Sequence, residues 1–210
     1  MSNCPLCSAA ADLFYDDRGT LFFKCSGCRS IFRDPADELS PETEKKRYEA
    51  HNNSPADPGY RSFVDPIIKE VTRRFTPAHH GLDFGAGPVP VITELLREEG
   101  YKIEPYDPFF HNDPELLKKT YDYIAACEVI EHFRSPAKEF KLLRSLLKPG
   151  GALLCMTELY EEGNDFSKWH YKNDETHRFF YSRPALEWIR DNFGFASLEV
   201  EGRLVSWGIS

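Results

Sequence analysis

The sequence predicts an α/β protein with a doubly wound, mostly parallel sheet, an antiparallel edge strand and a small cysteine-bearing module in front. Three observations predict it. From residue 80 onward, short apolar runs alternate with amphipathic stretches; a glycine-bearing loop, "GAGP", follows the first of these runs; and four of the 6 cysteines stand in two C-x2-C pairs within the first 28 residues.

Composition sets the bounds. A chain of 210 residues with 41% apolar content can bury one core of ordinary size plus an appendage. The net charge of -8, from 26 basic against 34 acidic residues, repels a phosphate backbone, and no basic block overrides it locally, so nucleic acid is not expected as a partner. The opening "MSNCPLCSAAAD" has neither a cationic start nor an apolar core, and no apolar run approaches membrane-spanning length. The expectation is a cytoplasmic protein with no membrane partner and with reduced cysteines.

Cys4, Cys7, Cys25 and Cys28 form C-x2-C, seventeen residues, C-x2-C, the spacing of a four-thiolate zinc ribbon. Four thiolates leave no position open for water, so this zinc is expected to be structural. Cys127 and Cys155 lie in apolar runs and are expected in the core. From Ser40 the texture changes: "SPETEKKRYEAH" starts a helix with Ser40 as N-cap and Pro41 in the first turn, and "DPIIKEVTRRF" repeats that logic from Asp65 and Pro66 with an Ile67/Val71/Phe75 stripe. "NNSPADPGY" between them reads as a hinge loop.

The alternation follows. "GLDF" is a strand, "VITELLREEG" a helix ending at Gly100, and "KIEPYD" a second strand, which makes a βαβ unit. "YDYIAACEV" is a buried strand, "PAKEFKLLRSLLKPGG" a helix with Phe140, Leu143 and Leu147 on one face, and "ALLCMTEL" a strand. A last helix, "RPALEWIRDNFG", precedes "ASLEVEG" and "RLVSWG", which are so closely spaced that they pair antiparallel. The expected division is a zinc ribbon at 1–39 and a second domain at 40–210, in which 40–78 bridges and 159–182 forms a lid.

In such Rossmann-like sheets ligands sit at the carboxyl ends of the strands. A dinucleotide fingerprint starting at Gly85 and Gly87 fails at Pro90, and Pro88 and Pro90 remove two amides that would cradle a pyrophosphate. A cationic ligand without phosphate fits better. S-adenosylmethionine has a sulfonium, an ammonium and an adenosine: Asp83 is expected to face its amino-acid end, Gly85 and Gly87 to let the backbone approach, and Asp107 to accept from the ribose hydroxyls.

With "LDFGAGP", Asp107 in "YDPFF", "YDYIAACEVIEHF" and "LLKPGG" in that order, the chain resembles the class I S-adenosylmethionine-dependent methyltransferases, most closely members that carry an N-terminal cysteine-rich zinc ribbon and a stretch similar to "WHYKNDETHRFFYS". The resemblance implies that Glu128 borders the methionine end of the cofactor. Two departures stand out. Val89 occupies a position where members often have a third glycine, and the stretch between Asp107 and Tyr121 is too short for a helix and a strand.

Methyl transfer asks mainly for alignment of the acceptor, with a base where the acceptor carries a proton. His132, after the strand 121–127, and His177, in the long insertion, are the candidate bases; His51, His79, His80 and His111 lie in loops or at element ends. The insertion is expected to close over the methyl group, with Tyr171 and Tyr181 as flat walls, Asp174 orienting the imidazole and Thr176 bonding the acceptor, a small molecule. Competing classes are a nicotinamide oxidoreductase, weakened by Pro90, and a non-catalytic zinc-ribbon binding module on a vestigial nucleotide fold.

Overall fold

The computed structural model describes residues 2–50 and 53–210, so His51 lies outside the described residues. Its centre is a six-stranded sheet. In chain order the strands are β5 (His80–Phe84), β6 (Lys102–Tyr106), β7 (Tyr121–Cys127), β8 (Leu147–Met156), β10 (Ser197–Glu201) and β11 (Leu204–Gly208), arranged β10-β11-β8-β7-β5-β6. The first four are mutually parallel, whereas β11 runs antiparallel to β8 and pairs antiparallel with β10, as the short connection requires.

Strand residues alternate between two buried faces. Tyr123 and Ala125 of β7 pack with Ile67 and Val71 of α2 (Pro58–Arg74) and Leu95 and Leu96 of α3 (Val91–Glu98). Ile124 and Ala126 point the other way, toward Phe140 and Leu143 of α4 (Pro136–Ser145) and Leu186 and Ile189 of α5 (Arg183–Phe193). Helices on both faces explain why these strands read as continuous apolar runs.

The helix boundaries differ from expectation at two places. α2 starts at Pro58, capped by Asp57 on the amide of Gly59, and continues through Pro66, so Asp65 is not a cap and residues 58–60 belong to the helix rather than to a hinge. Burial of Val64, Ile67, Ile68 and Val71 holds the helix across the one backbone bond that Pro66 cannot make. α4 stops at Ser145, and Leu147 already opens β8 by pairing with Tyr121; Gly150, with a left-handed φ of 75°, lies in the irregular stretch between that pair and Ala152–Tyr123. Ser40 and Pro41 do open a helix, α1 (Pro41–Glu49), with the Ser40 hydroxyl accepting from the Thr43 amide.

A second sheet carries the cysteines. β1 (Ser2–Asn3), β2 (Ala10–Asp17), β3 (Thr20–Cys25) and β4 (Ile31–Arg33) are joined by a strand that sequence reading missed, β9 (Phe179–Phe180), in the order β1-β2-β3-β4-β9. Ile31 pairs with Phe180 and Phe32 with Phe179. The two cysteine knuckles repeat one geometry: Cys4 N donates to Ala9 O and Cys25 N to Ser30 O, each at 2.9 Å, and each knuckle is followed by a residue at φ 63°, Ser8 and Arg29. Facing thiols come within 3.6 Å (Cys4, Cys28) and 3.3 Å (Cys7, Cys25).

Residues 159–182 are tied to this sheet. Phe166, Tyr160 and Tyr171 are buried with Phe22 and Phe180, and Lys172 Nζ reaches Asp17 Oδ2 of β2 at 2.5 Å. Among the described residues no helix is long and apolar enough to cross a membrane.

Candidate active site

A cavity of about 740 Å³ opens over the carboxyl ends of β5, β6 and β7. Gly85 and Gly87 line it with φ of 77° and 67°, which a side-chain-bearing residue rarely adopts. Their positions differ in what surrounds them. A Cβ on Gly85 would meet Val129 at 2.6 Å, whereas one on Gly87 would meet nothing within 4 Å, leaving its backbone open to a ligand. Asp107 also lines the cavity; its Oδ2 accepts from Gly87 N at 3.0 Å and its Oδ1 from Phe109 N at 2.8 Å, so this carboxylate fixes the glycine loop as well as facing the space.

Asp83 stands apart from the expectation. It does not line the cavity: buried at 3% exposure, it accepts from Thr93 N (3.2 Å) and Thr93 Oγ1 (2.9 Å) through Oδ2. The reason lies in the prolines. Pro90 at the start of α3 offers no side-chain cap, so Asp83 caps the helix from the neighbouring strand. Burial pushes its carboxyl up to about 6.

Beyond β7 the chain forms a polar network. Glu128, at φ 52°, lines the cavity and receives Arg203 on Oε2 at 2.6 Å, while its Oε1 is buried with no hydrogen-bond partner. Glu131 is fully buried; it accepts from Thr157 Oγ1 at 3.1 Å and from the Tyr171 hydroxyl, which also lies 3.0 Å from Glu128 Oε2. Burial pushes both glutamates up to about 7, and Glu131 adds its repulsion at Glu128.

His132 and His177 both line the cavity, with ring centres 4.8 Å apart. His177 Nδ1 is 2.7 Å from Tyr171 O, and His132 Nδ1 is 3.0 Å from Thr176 O. A carbonyl only accepts, so each ring carries its proton on Nδ1 and a lone pair on Nε2. Burial keeps both rings neutral, and with the neighbouring His132 it depresses His177 to about 4. Glu131, His132 and His177 each offer an atom within 4.8 Å of the others.

The rest of the insertion is placed otherwise than expected. Asp174 lines the cavity but its Oδ1 is held by Thr176 N (2.9 Å) and Thr176 Oγ1 (2.6 Å), so the Tyr171 carbonyl, not Asp174, orients the His177 ring, and the Thr176 hydroxyl is already committed. Neither Tyr171 nor Tyr181 forms a wall: the first serves the glutamates, and the second is buried with its hydroxyl on Ile130 O at 3.0 Å. The aromatic walls come from residues that the sequence did not mark as walls. Tyr48 of α1, Tyr60 and Phe63 of α2, and Phe109 and Phe133 line the cavity, with the Tyr48 and Phe109 rings 6.0 Å apart. Cys127, expected in the core, also reaches the cavity because it is the last residue of β7.

The mostly parallel sheet brings its glycine loop and a strand-end acid to one cavity at the carboxyl ends of its strands. The chain belongs to the methyltransferase-domain family, an enzyme family whose model matches residues 32–200. That match begins inside β4, so the four clustered cysteines stand outside it. Over 91 residues the chain is 31% identical to the ubiquinone biosynthesis O-methyltransferase of Yersinia pestis, which covers 43% of this chain and only 38% of that protein's length. The phosphoethanolamine N-methyltransferase 2 of Haemonchus contortus, solved with S-adenosyl-L-methionine, matches with a TM-score of 0.58 and 19% identity, covering 81% of this chain and 48% of that one. Magnesium protoporphyrin IX methyltransferase of Synechocystis, solved with bound S-adenosylmethionine, matches with a TM-score of 0.53 and 14% identity, covering 81% of this chain and 92% of that one. The fold is therefore a mixed α/β methyltransferase fold around a central sheet.

Proposed function

We propose that this protein transfers a methyl group from S-adenosylmethionine to a small-molecule acceptor, with Gly85, Gly87, Asp107 and Glu128 holding the cofactor. One observation carries the reading: a single cavity is lined by Asp107, Gly87, Glu128 and both histidines, and Glu128 keeps one carboxyl oxygen, Oε1, without a hydrogen-bond partner. A ligand ammonium supplies what Glu128 Oε1 lacks, and such a group also returns the carboxyl to its ionised form. Asp107 retains acceptor capacity for ribose hydroxyls, and Pro108, Phe109 and Phe133 offer apolar surface to a purine.

When bound, the cofactor brings a methyl group already activated by its sulfonium. The chain's own contribution is alignment, exclusion of water by Tyr48, Tyr60 and Phe63, and proton handling at His177 Nε2 or His132 Nε2 for an acceptor that loses a proton. The Yersinia relative, an O-methyltransferase by name, fits a hydroxyl acceptor. A second reading is favoured by the convergence of Glu131, His132 and His177: a divalent cation there would acidify a hydroxyl directly. Turnover lost to a chelator that leaves the cysteine-bound metal in place, and restored by a divalent transition metal but not by magnesium, would select it.

We also read Cys4, Cys7, Cys25 and Cys28 as the ligands of one structural zinc, in a ribbon over 1–39 attached to a methyltransferase domain over 40–210. Tetrahedral zinc with bonds of about 2.3 Å sets its sulfurs ~3.8 Å apart, near the observed separations, and all four thiols are free. Residues 159–182 then act less as a moving lid than as a wall anchored on the ribbon.

Calorimetry with S-adenosylhomocysteine tests the main proposal. Asp107→Ala removes the acceptor for Gly87 N together with the ribose contacts, so binding should weaken by roughly 2 to 4 kcal/mol, at ~1.5 to 3 per charge-assisted bond. Unchanged affinity in the variant, or no binding by the parent, would overturn it.

A further inference from the structure

Arg33, the last residue of β4, is 8% exposed, and its guanidinium crosses from the cysteine-bearing sheet to the insertion. Its Nε donates to His177 O at 3.3 Å, and one terminal nitrogen donates to Lys172 O and Asp174 O, each at 3.1 Å. Its Cζ lies 5.1 Å from the centre of the Phe22 ring, and its own amide donates to Arg178 O at 2.9 Å. Among the described residues no carboxylate forms a salt bridge with it. A buried guanidinium hydrogen-bonded only to carbonyls, with the Asp37, Glu175 and Asp174 carboxylates acting on it from beyond contact, is an expensive way to fill space; a leucine would pack there without desolvating a cation. What a leucine lacks is a rigid fork able to hold several carbonyls at once, which lysine lacks as well.

Those three carbonyls belong to the segment that brings Asp174 and His177 to the cavity and whose Tyr171 carbonyl fixes the His177 ring. The Lys172–Asp17 ion pair reinforces the same connection from β2. We propose that Arg33 is the positioning residue for His177, carrying the geometry of the cysteine-bearing sheet into the acceptor end of the cavity. The functional weight of this rests on the methyl-transfer reading, but the positioning itself does not.

The test therefore needs no acceptor. Arg33→Met and Arg33→Lys are compared with the parent by amide exchange over residues 171–178, by the ¹⁵N shifts of the His177 ring, and by S-adenosylhomocysteine affinity. In the parent the ring should show the single Nδ1–H tautomer. Arg33→Met should exchange this segment at least tenfold faster and show a tautomer mixture, while cofactor affinity stays within about threefold and the cysteine metal content is retained. Arg33→Lys should recover part of the protection, because one donor can still reach one carbonyl. Parent-like exchange and a single tautomer in Arg33→Met, even with reduced thermal stability, would overturn the proposal by showing that Arg33 serves packing alone. Should the Met variant not fold, a Lys variant with the parent's exchange and tautomer overturns it in the same way. A parent that fails to bind S-adenosylhomocysteine would sink the methyl-transfer reading and leave the positioning result standing.

Discussion

Two aspartates of the glycine-loop region separate at the scale of the residue. Asp107 faces the cavity, and Asp83 caps a helix behind it, a difference set by which amides lack partners rather than by the residue type. Asp83 also predicts a pH effect. Its folded pKa, about 6, lies above the ordinary 3.8, so the folded state keeps a proton that the unfolded state releases, and stability falls as pH climbs from about 4 to about 6. Asp83→Asn keeps an oxygen acceptor for Thr93 and removes that dependence. Urea midpoints at pH 4 and pH 7 should show the variant gaining up to about 3 kcal/mol over the parent at the higher pH, at 1.36 per unit; a pH-independent difference would refute the buried-acid account.

His132 and His177 were both legible as candidates from their places after β7 and in the insertion. Their shared tautomer was not, since it depends on two carbonyls distant in sequence from one of the rings or set by the turn of the other. Once an acceptor that must lose a proton is found, loss of the working base should lower turnover roughly 10²- to 10⁴-fold with cofactor affinity retained. Turnover measured for His132→Ala and His177→Ala separates them, and full rate in both would leave alignment alone to explain catalysis.

Among the elements, the βαβ unit was readable because strand and helix periodicities differ and the loop between them is punctuated by glycine and proline. β9 was not, because two phenylalanines carry no period, and their strand exists only through pairing with Ile31 and Phe32. The aromatic walls from α1 and α2 were equally hidden: Tyr48 stands in a charged helix with no apolar face to mark its direction. Because β9 closes the cysteine-bearing sheet, removal of the zinc proposed for its cysteines should affect more than residues 1–39. A strong chelator is expected to lower Tm and to reduce the near-ultraviolet circular dichroism of the Phe166, Trp169 and Tyr171 cluster. An aromatic signal that survives complete metal loss would show that the sheet stands on burial alone.

At the scale of the molecule, fold class and strand sequence follow from the alternation of elements, whereas the joining of the two sheets follows from long-range contacts with no local signal, above all Arg33 and Lys172. The short stretch after Asp107 has a whole-molecule consequence of a different kind. It holds a single 3-10 turn, Pro114–Lys118, in place of a helix and strand, so the central sheet ends at β6. A terminal strand is a template on which a second chain can polymerise. β6 is only five residues, "KIEPY"; Pro105 removes one donor, and Lys102 and Glu104 put charge along it. These features make the border a poor nucleus for fibril growth, and Pro105→Val, which restores the donor and raises strand propensity, should increase light scattering during prolonged incubation at concentrations where the parent stays clear.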